Sequence, residues 1–175
     1  MSPTTPTPTI RPATPADAAE LAAFTERVFR ATFAADNRAE DMDAYCAEAF
    51  DPARQLAEIE AAGVRTLLVE CGGLAGCAQV RAGTPPPCVT ADRPIELRRF
   101  YIDTPWQGRG IALQLMRAVM EIARADGAGS VWLGVWERNA RAIAFYAKCG
   151  FADVGAHDFR LGDDLQTDRV MVAGL

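Results

Sequence analysis

Gln107-Gly108-Arg109-Gly110-Ile111-Ala112 joins two segments of different periodicity, and that junction restricts the fold more than any other part of the chain. Before it, Ile95 to Ile102 reads as a strand. After it, Gly110 to Asp126 has helical spacing. Ile111, Leu115, Val119 and Ile122 form an apolar stripe, opposite a polar one of Gln114, Arg117, Glu121 and Arg124. Ser130 to Val135 is again a strand. A strand–helix–strand unit flanked by hairpins predicts a mixed sheet with helices on its faces.

The rest of the chain supplies the flanks. Thr14-Pro15-Ala16-Asp17 is a helix start, with a cap, an early Pro and an acid three residues after the cap. Ala18, Leu21, Thr25, Val28 and Thr32 follow at helical spacing, beside Phe24 and Phe29. A second helical region runs from Ala39 through Phe50, breaks near Asp51-Pro52, and resumes to Ala62 before Gly63 closes it. Val64 to Glu70 and Leu74 to Arg81 read as a hairpin through Cys71-Gly72-Gly73. Asn139 to Cys149 is a helix with an Asn cap and Gly150 at its end, and Phe151 to Val154 and Thr167 to Val172 are closing strands. The expected fold is α/β (α+β): a mixed, mostly antiparallel sheet of about six to seven strands with about four flanking helices. Residues 1–8, rich in Pro and Thr without a secretory pattern, are expected to form a disordered tail, and residues 9–175 a single domain.

Composition narrows function. The formal net charge is −5, from 18 basic and 23 acidic residues, which argues against a nucleic-acid partner and suits a small cationic one. No apolar stretch approaches the length needed to span a bilayer, so no membrane partner is expected. The five cysteines form no C-x-x-C pair and His157 is the single histidine, so no metal site is expected and a reduced, cytoplasmic setting is. A Ser-His-Asp hydrolase would need a G-x-S-x-G elbow, which the chain lacks.

The Gly-rich junction reads as a phosphate loop. Gly108 and Gly110 allow backbone N–H groups to point inward at a helix start, and Arg109 adds positive charge; the competing reading is a tight strand-to-helix turn. A dinucleotide fingerprint would need glycine where Leu113 stands, and a P-loop would need Gly-Lys-Ser/Thr. The remaining Q-x-x-G-x-A pattern resembles the GNAT superfamily of N-acetyltransferases. Asn139-Ala140-Arg141-Ala142-Ile143-Ala144-Phe145-Tyr146-Ala147-Lys148-Cys149-Gly150-Phe151 is similar to that superfamily's N-x-x-A-x-x-F-Y-x-K-x-G-F pattern.

The resemblance implies the GNAT fold, acetyl-CoA as co-substrate, and acetyl transfer to a primary amine. It assigns the pyrophosphate to Gln107, Gly108, Arg109, Gly110, Ile111 and Ala112, and the pantetheine arm to Phe100, Tyr101 and Ile102, with Asn139, Phe145 and Lys148 completing the cofactor site. Tyr146 is the candidate general acid and Glu96 the candidate base, acting through water. Cys149 is not expected to be a nucleophile, and His157 is read as structural, with substrate orientation as its other reading. Trp132 to Asn139, Gly155-Ala156-His157 and Gln166-Thr167-Asp168 further resemble PaiA-like polyamine acetyltransferases, implying spermidine or spermine as acceptor. Asp36, Glu40, Asp41 and Asp43 are then candidate ligands for its ammonium groups, against the simpler reading of a solvated helix face. Arg98 departs from that branch, where an acid is expected, and could pair with Glu96 or repel a cation. Other amines, a non-catalytic coenzyme A sensor and a homodimer remain open alternatives.

Overall fold

The structure, a computed structural model, describes residues 7–175. Most of the expected tail, residues 1–6, lies outside the described residues. The elements run β1 (Thr9–Pro12), α1 (Ala18–Phe33), α2 (Ala39–Ala49), α3 (Pro52–Glu60), β2 (Val64–Glu70), β3 (Leu74–Arg81), β4 (Pro94–Ile102), α4 (Ile111–Ala125), β5 (Ser130–Trp136), α5 (Ala140–Lys148), β6 (Ala152–Leu161) and β7 (Asp164–Gly174). The strands form one seven-stranded sheet in the order β1-β2-β3-β4-β5-β7-β6. All neighbours are antiparallel except β4 and β5, whose parallel pairing is bridged by α4. The break at Asp51-Pro52 makes two helices of one expected region, because Pro52 starts a new helix and cannot continue the old one. That raises the helix count among the described residues to five.

Two apolar layers hold the sheet. On one face, α4 buries Ile111, Leu115, Met116, Val119 and Ala123 against Val69, Val80, Leu97, Val131 and Leu133. Leu115 is fully buried, and a side chain of that size removed from water contributes about 2–3 kcal/mol. Ala123, one residue after the expected Ile122, completes the stripe. On the other face, α1 lays Leu21, Phe24 and Val28 on Leu68 and Cys77, while Phe29, Met42, Cys46 and Phe50 join α1, α2 and Leu161.

The closing hairpin is longer than its sequence pattern suggests. β6 and β7 pair from Ala152–Val172 to Leu161–Asp164, with a bulge between Asp153 and Gly155, around a turn with Gly162 at φ +58°. Gly162 also lies so close to α2 that a Cβ there would meet the Asp41 Cα at 2.6 Å.

Candidate active site

The site begins where the sheet opens. β4 and β5 pair only at Pro94–Ser130, Ile95–Val131 and Glu96–Trp132, although β4 continues to Ile102 and β5 to Trp136. Beyond Glu96, β4 therefore has no strand beside it on the β5 side, and its backbone can pair with an extended ligand. A bulge against Gln79–Val80 lies at the same level. It leaves Arg98 without a register partner and turns Arg98 and Arg99 alike toward Glu58 of α3. Arg99 is 6% exposed, and besides Glu58 it binds the Ala49 carbonyl and the Gln55 side chain. Burial pushes the Glu58 carboxyl up, but the charge and hydrogen bonds of Arg99 and the charge of Arg98 outweigh it and hold Glu58 below its ordinary value.

The Gly-rich loop closes one end of this opening. Asp103 caps the short turn Thr104–Trp106, accepting from the Thr104 N–H at 2.8 Å, and a two-pronged contact from Arg27 at 2.9 Å ties it to α1. Gln107 donates to the Ile102 carbonyl at 2.9 Å, folding the loop back on the end of β4. Gly108 and Gly110 take φ +74° and +79°, a left-handed path that suits glycine. Among the described residues, the N–H groups of Gly108, Arg109, Gly110, Ile111 and Ala112 find no acceptor, so the loop and the α4 N-terminus present a row of donors. Arg109 stacks over Trp106 at 5.3 Å, which keeps its charge beside that row.

α5 supplies the far wall. The Asn139 side chain caps it, accepting from Ala142 N–H at 3.1 Å. Phe145 stacks on Phe100 with centroids 5.6 Å apart, and Lys148 is exposed at the helix end. Tyr146 packs against Phe100, Phe145 and Phe151, and its hydroxyl has no hydrogen-bond partner among the described residues. Burial raises its phenol well above the ordinary value, so it stays protonated at neutral pH. Burial also raises the Cys149 thiol, which leaves it a poor nucleophile.

The structure redistributes the acidic candidates. Glu96 is held by Arg81, across β3, at the last paired position before the sheet opens. It is therefore not a free base. Arg98 pairs with Glu58 at 2.8 Å and not with Glu96, because α3 lies over the bulge. Asp41 is 5% exposed and accepts from the Asp163 N–H at 2.8 Å, so it fastens α2 to the β6–β7 turn and is not available to a ligand. Asp43 is exposed and paired with Arg30 at 2.8 Å, while Asp36 and Glu40 are exposed.

A polar cluster that sequence reasoning missed lies on the α1–α2 face of β5, β6 and β7. Asp168 of β7 is 8% exposed and forms no hydrogen bond among the described residues; its carboxylate is 3.9 Å from His157 Nε2. Burial alone pushes the Asp168 carboxyl up to about 6. Gly134 of β5 faces both groups. A signal was present in Gln166-Thr167-Asp168-Arg169, a strand segment whose central acid shares a face with Val170.

A donor row opening onto a split sheet is an arrangement able to take a long, phosphate-bearing co-substrate extended between two strands. The chain matches the family model described as the acetyltransferase (GNAT) family over residues 23–151. It is 31% identical over 160 residues to an uncharacterized N-acetyltransferase of Lactobacillus delbrueckii subsp. lactis, covering 91% of this chain and 92% of that one. The chain belongs to the acetyltransferase (GNAT) family and is an N-acetyltransferase with acetyl-CoA as its co-substrate. A spermine/spermidine N(1)-acetyltransferase of Bacillus subtilis is 33% identical over 64 residues, 36% of this chain and 42% of that one. The fold is shared with a PaiA N-acetyltransferase from Thermoplasma acidophilum solved in complex with coenzyme A, at a TM-score of 0.79 and 19% identity over 97% of this chain and 99% of the other.

Proposed function

We propose that the chain transfers acetyl from acetyl-CoA to a primary amine of a polyamine, spermidine or spermine, by direct attack in a ternary complex. The observation that carries this is the β4–β5 ladder ending at Glu96–Trp132. It opens one site to both faces of the sheet, so that donor and acceptor can be bound together. The polyamine is favoured by the partial likeness to the Bacillus subtilis enzyme and by the acidic net charge.

Acetyl-CoA supplies an activated thioester; the chain supplies position, polarisation and a proton. The free N–H groups from Gly108 to Ala112, with Arg109, receive the pyrophosphate at the α4 N-terminus. The unpaired edge of β4 through Phe100, Tyr101 and Ile102 pairs with the pantetheine arm, and one N–H on it polarises the thioester carbonyl. Phe145 and Asn139 line the far side, and Lys148, exposed in the last turn of α5, contributes a positive charge for phosphate. The amine attacks as its free base; the Tyr146 hydroxyl, protonated and without a hydrogen-bond partner among the described residues, donates to the departing sulfur, and the proton released by the attacking nitrogen passes through water to restore the Tyr146 phenol. Asp36, Glu40 and Asp43 keep a weaker role as outer attractors of a cation, screened by water and, for Asp43, by Arg30.

Initial rates with acetyl-CoA and spermidine varied together test the ternary complex. Intersecting double-reciprocal lines are expected. Parallel lines, with acetyl trapped on a side chain such as Cys149, would contradict direct attack.

A further inference from the structure

We propose that Asp168 and His157, above the floor left open by Gly134, form the subsite that receives a cationic nitrogen of the acceptor. This deepens the polyamine reading and rests on it. Gly134 is exposed, although its strand neighbours Leu133 and Val135 are 1% and 6% exposed. β4 has already left β5 at this level, and glycine, with no side chain on the α1–α2 face, lets His157 and Asp168 approach the β5 backbone. A Cβ at 134 would lie 2.6 Å from His157 Nε2 and 3.1 Å from Asp168 Oδ2, so the two groups converge on the space above it.

What converges there is polar and unsatisfied. Asp168 makes no hydrogen bond among the described residues, and His157 Nε2 and Trp132 Nε1 are buried without a partner, Trp132 being 4% exposed. Buried polar groups left without partners are uncommon and call for an explanation. An alkylammonium group has only donors to offer; Asp168 offers a carboxylate, and His157, in its Nδ1-protonated tautomer, offers a ring nitrogen. A metal ion fits less well, since no cluster of three or more His, Cys, Asp or Glu side chains suited to one occurs among the described residues. The rim suits a methylene chain and its charge: Phe33 meets Trp136 at 5.9 Å and Tyr45 meets Phe159 at 5.4 Å, from the elements packed over this face.

Energetics point the same way. Burial, with no compensating cation, disfavours the charged form of Asp168, and the other titratable groups facing it are His157 of β6 and Tyr45 of α2. The fold therefore carries a buried anion that destabilises it at neutral pH. A bound ammonium would supply the missing partner.

The test uses the full chain saturated with coenzyme A, titrated with spermidine by calorimetry. Asp168→Asn is expected to weaken spermidine binding by about 10- to 100-fold, the usual range for losing a charge-assisted hydrogen bond. Its coenzyme A affinity should stay within about twofold of wild type, and its Tm should rise by a few degrees, on the order expected when a buried charge is removed. Gly134→Ala, whose Cβ would crowd His157 Nε2 and Asp168 Oδ2 out of their positions without changing charge, should also weaken spermidine while sparing coenzyme A. Equal spermidine affinity in wild type and Asp168→Asn overturns this subsite and leaves the polyamine reading standing. No spermidine binding by wild type overturns both.

Discussion

At the scale of single residues, burial prepares opposite chemistry at two side chains. Tyr146 is kept protonated by its apolar surroundings, which is the state a general acid needs. Tyr146→Phe should therefore lower kcat by about 10²-fold or more with amine saturating, while acetyl-CoA affinity is unchanged. Steady-state thiol release checks this, and an unaltered kcat and pH profile would remove Tyr146 from the role. Asp168 is pushed up as well, away from the charged form that an ammonium needs: its carboxyl moves from 3.8 up to about 6 because it is buried. A raised carboxyl value means that folding favours the protonated form. Stability from this group is thus greatest below 3.8 and is lost as pH rises through about 6. Acceptor binding has the reverse dependence, because only the anion holds an ammonium. With His157 and Tyr45 the other titratable groups facing it, kcat/KM for spermidine should fall as pH drops through about 6, and Asp168→Asn should abolish that limb.

Among the elements, β4 does most to shape the site, and its bulge depends on α3. Glu58 answers both Arg98 and Arg99, and Arg54 besides, so Glu58→Ala leaves Arg98 and the buried Arg99 without a carboxylate partner. A loss of about 3–5 kcal/mol is expected, read by urea denaturation. None of this was legible beforehand, because the Glu58–Arg99 pair joins positions far apart in sequence and Arg98 was expected beside Glu96. The strand–turn–helix junction was legible, since α4 carries its own period, its own glycines and its own stripe. β1 was not: Thr9–Pro12 is too short to show alternation and is a strand only because β2 pairs with it. Much of β6 was missed likewise, as Gly155, Ala156 and Asp158 have little strand propensity and are held by β7. Asp168 escaped because its neighbours His157 and Gly134 come from two other strands and meet it only in the folded sheet.

For the whole molecule, the opened sheet makes the two ligands partners in stability as well as in reaction. Acetyl-CoA bound to the Gly108–Ala112 donors should stabilise the fold by about 2.7 kcal/mol at a hundredfold excess over its Kd, visible as a rise in Tm. Arg109→Ala should reduce that rise by weakening phosphate binding, with little effect on the unliganded Tm, because the side chain only stacks on Trp106. The split sheet and the Gly-rich loop serve any amine equally, so the acceptor is decided elsewhere in the site. The most direct measurement is thiol release by wild-type protein from acetyl-CoA with spermidine, spermine and a peptide N-terminus at equal concentration. The account predicts the highest kcat/KM with a polyamine. A peptide far superior to both polyamines, or no release with any amine despite acetyl-CoA binding, would contradict it.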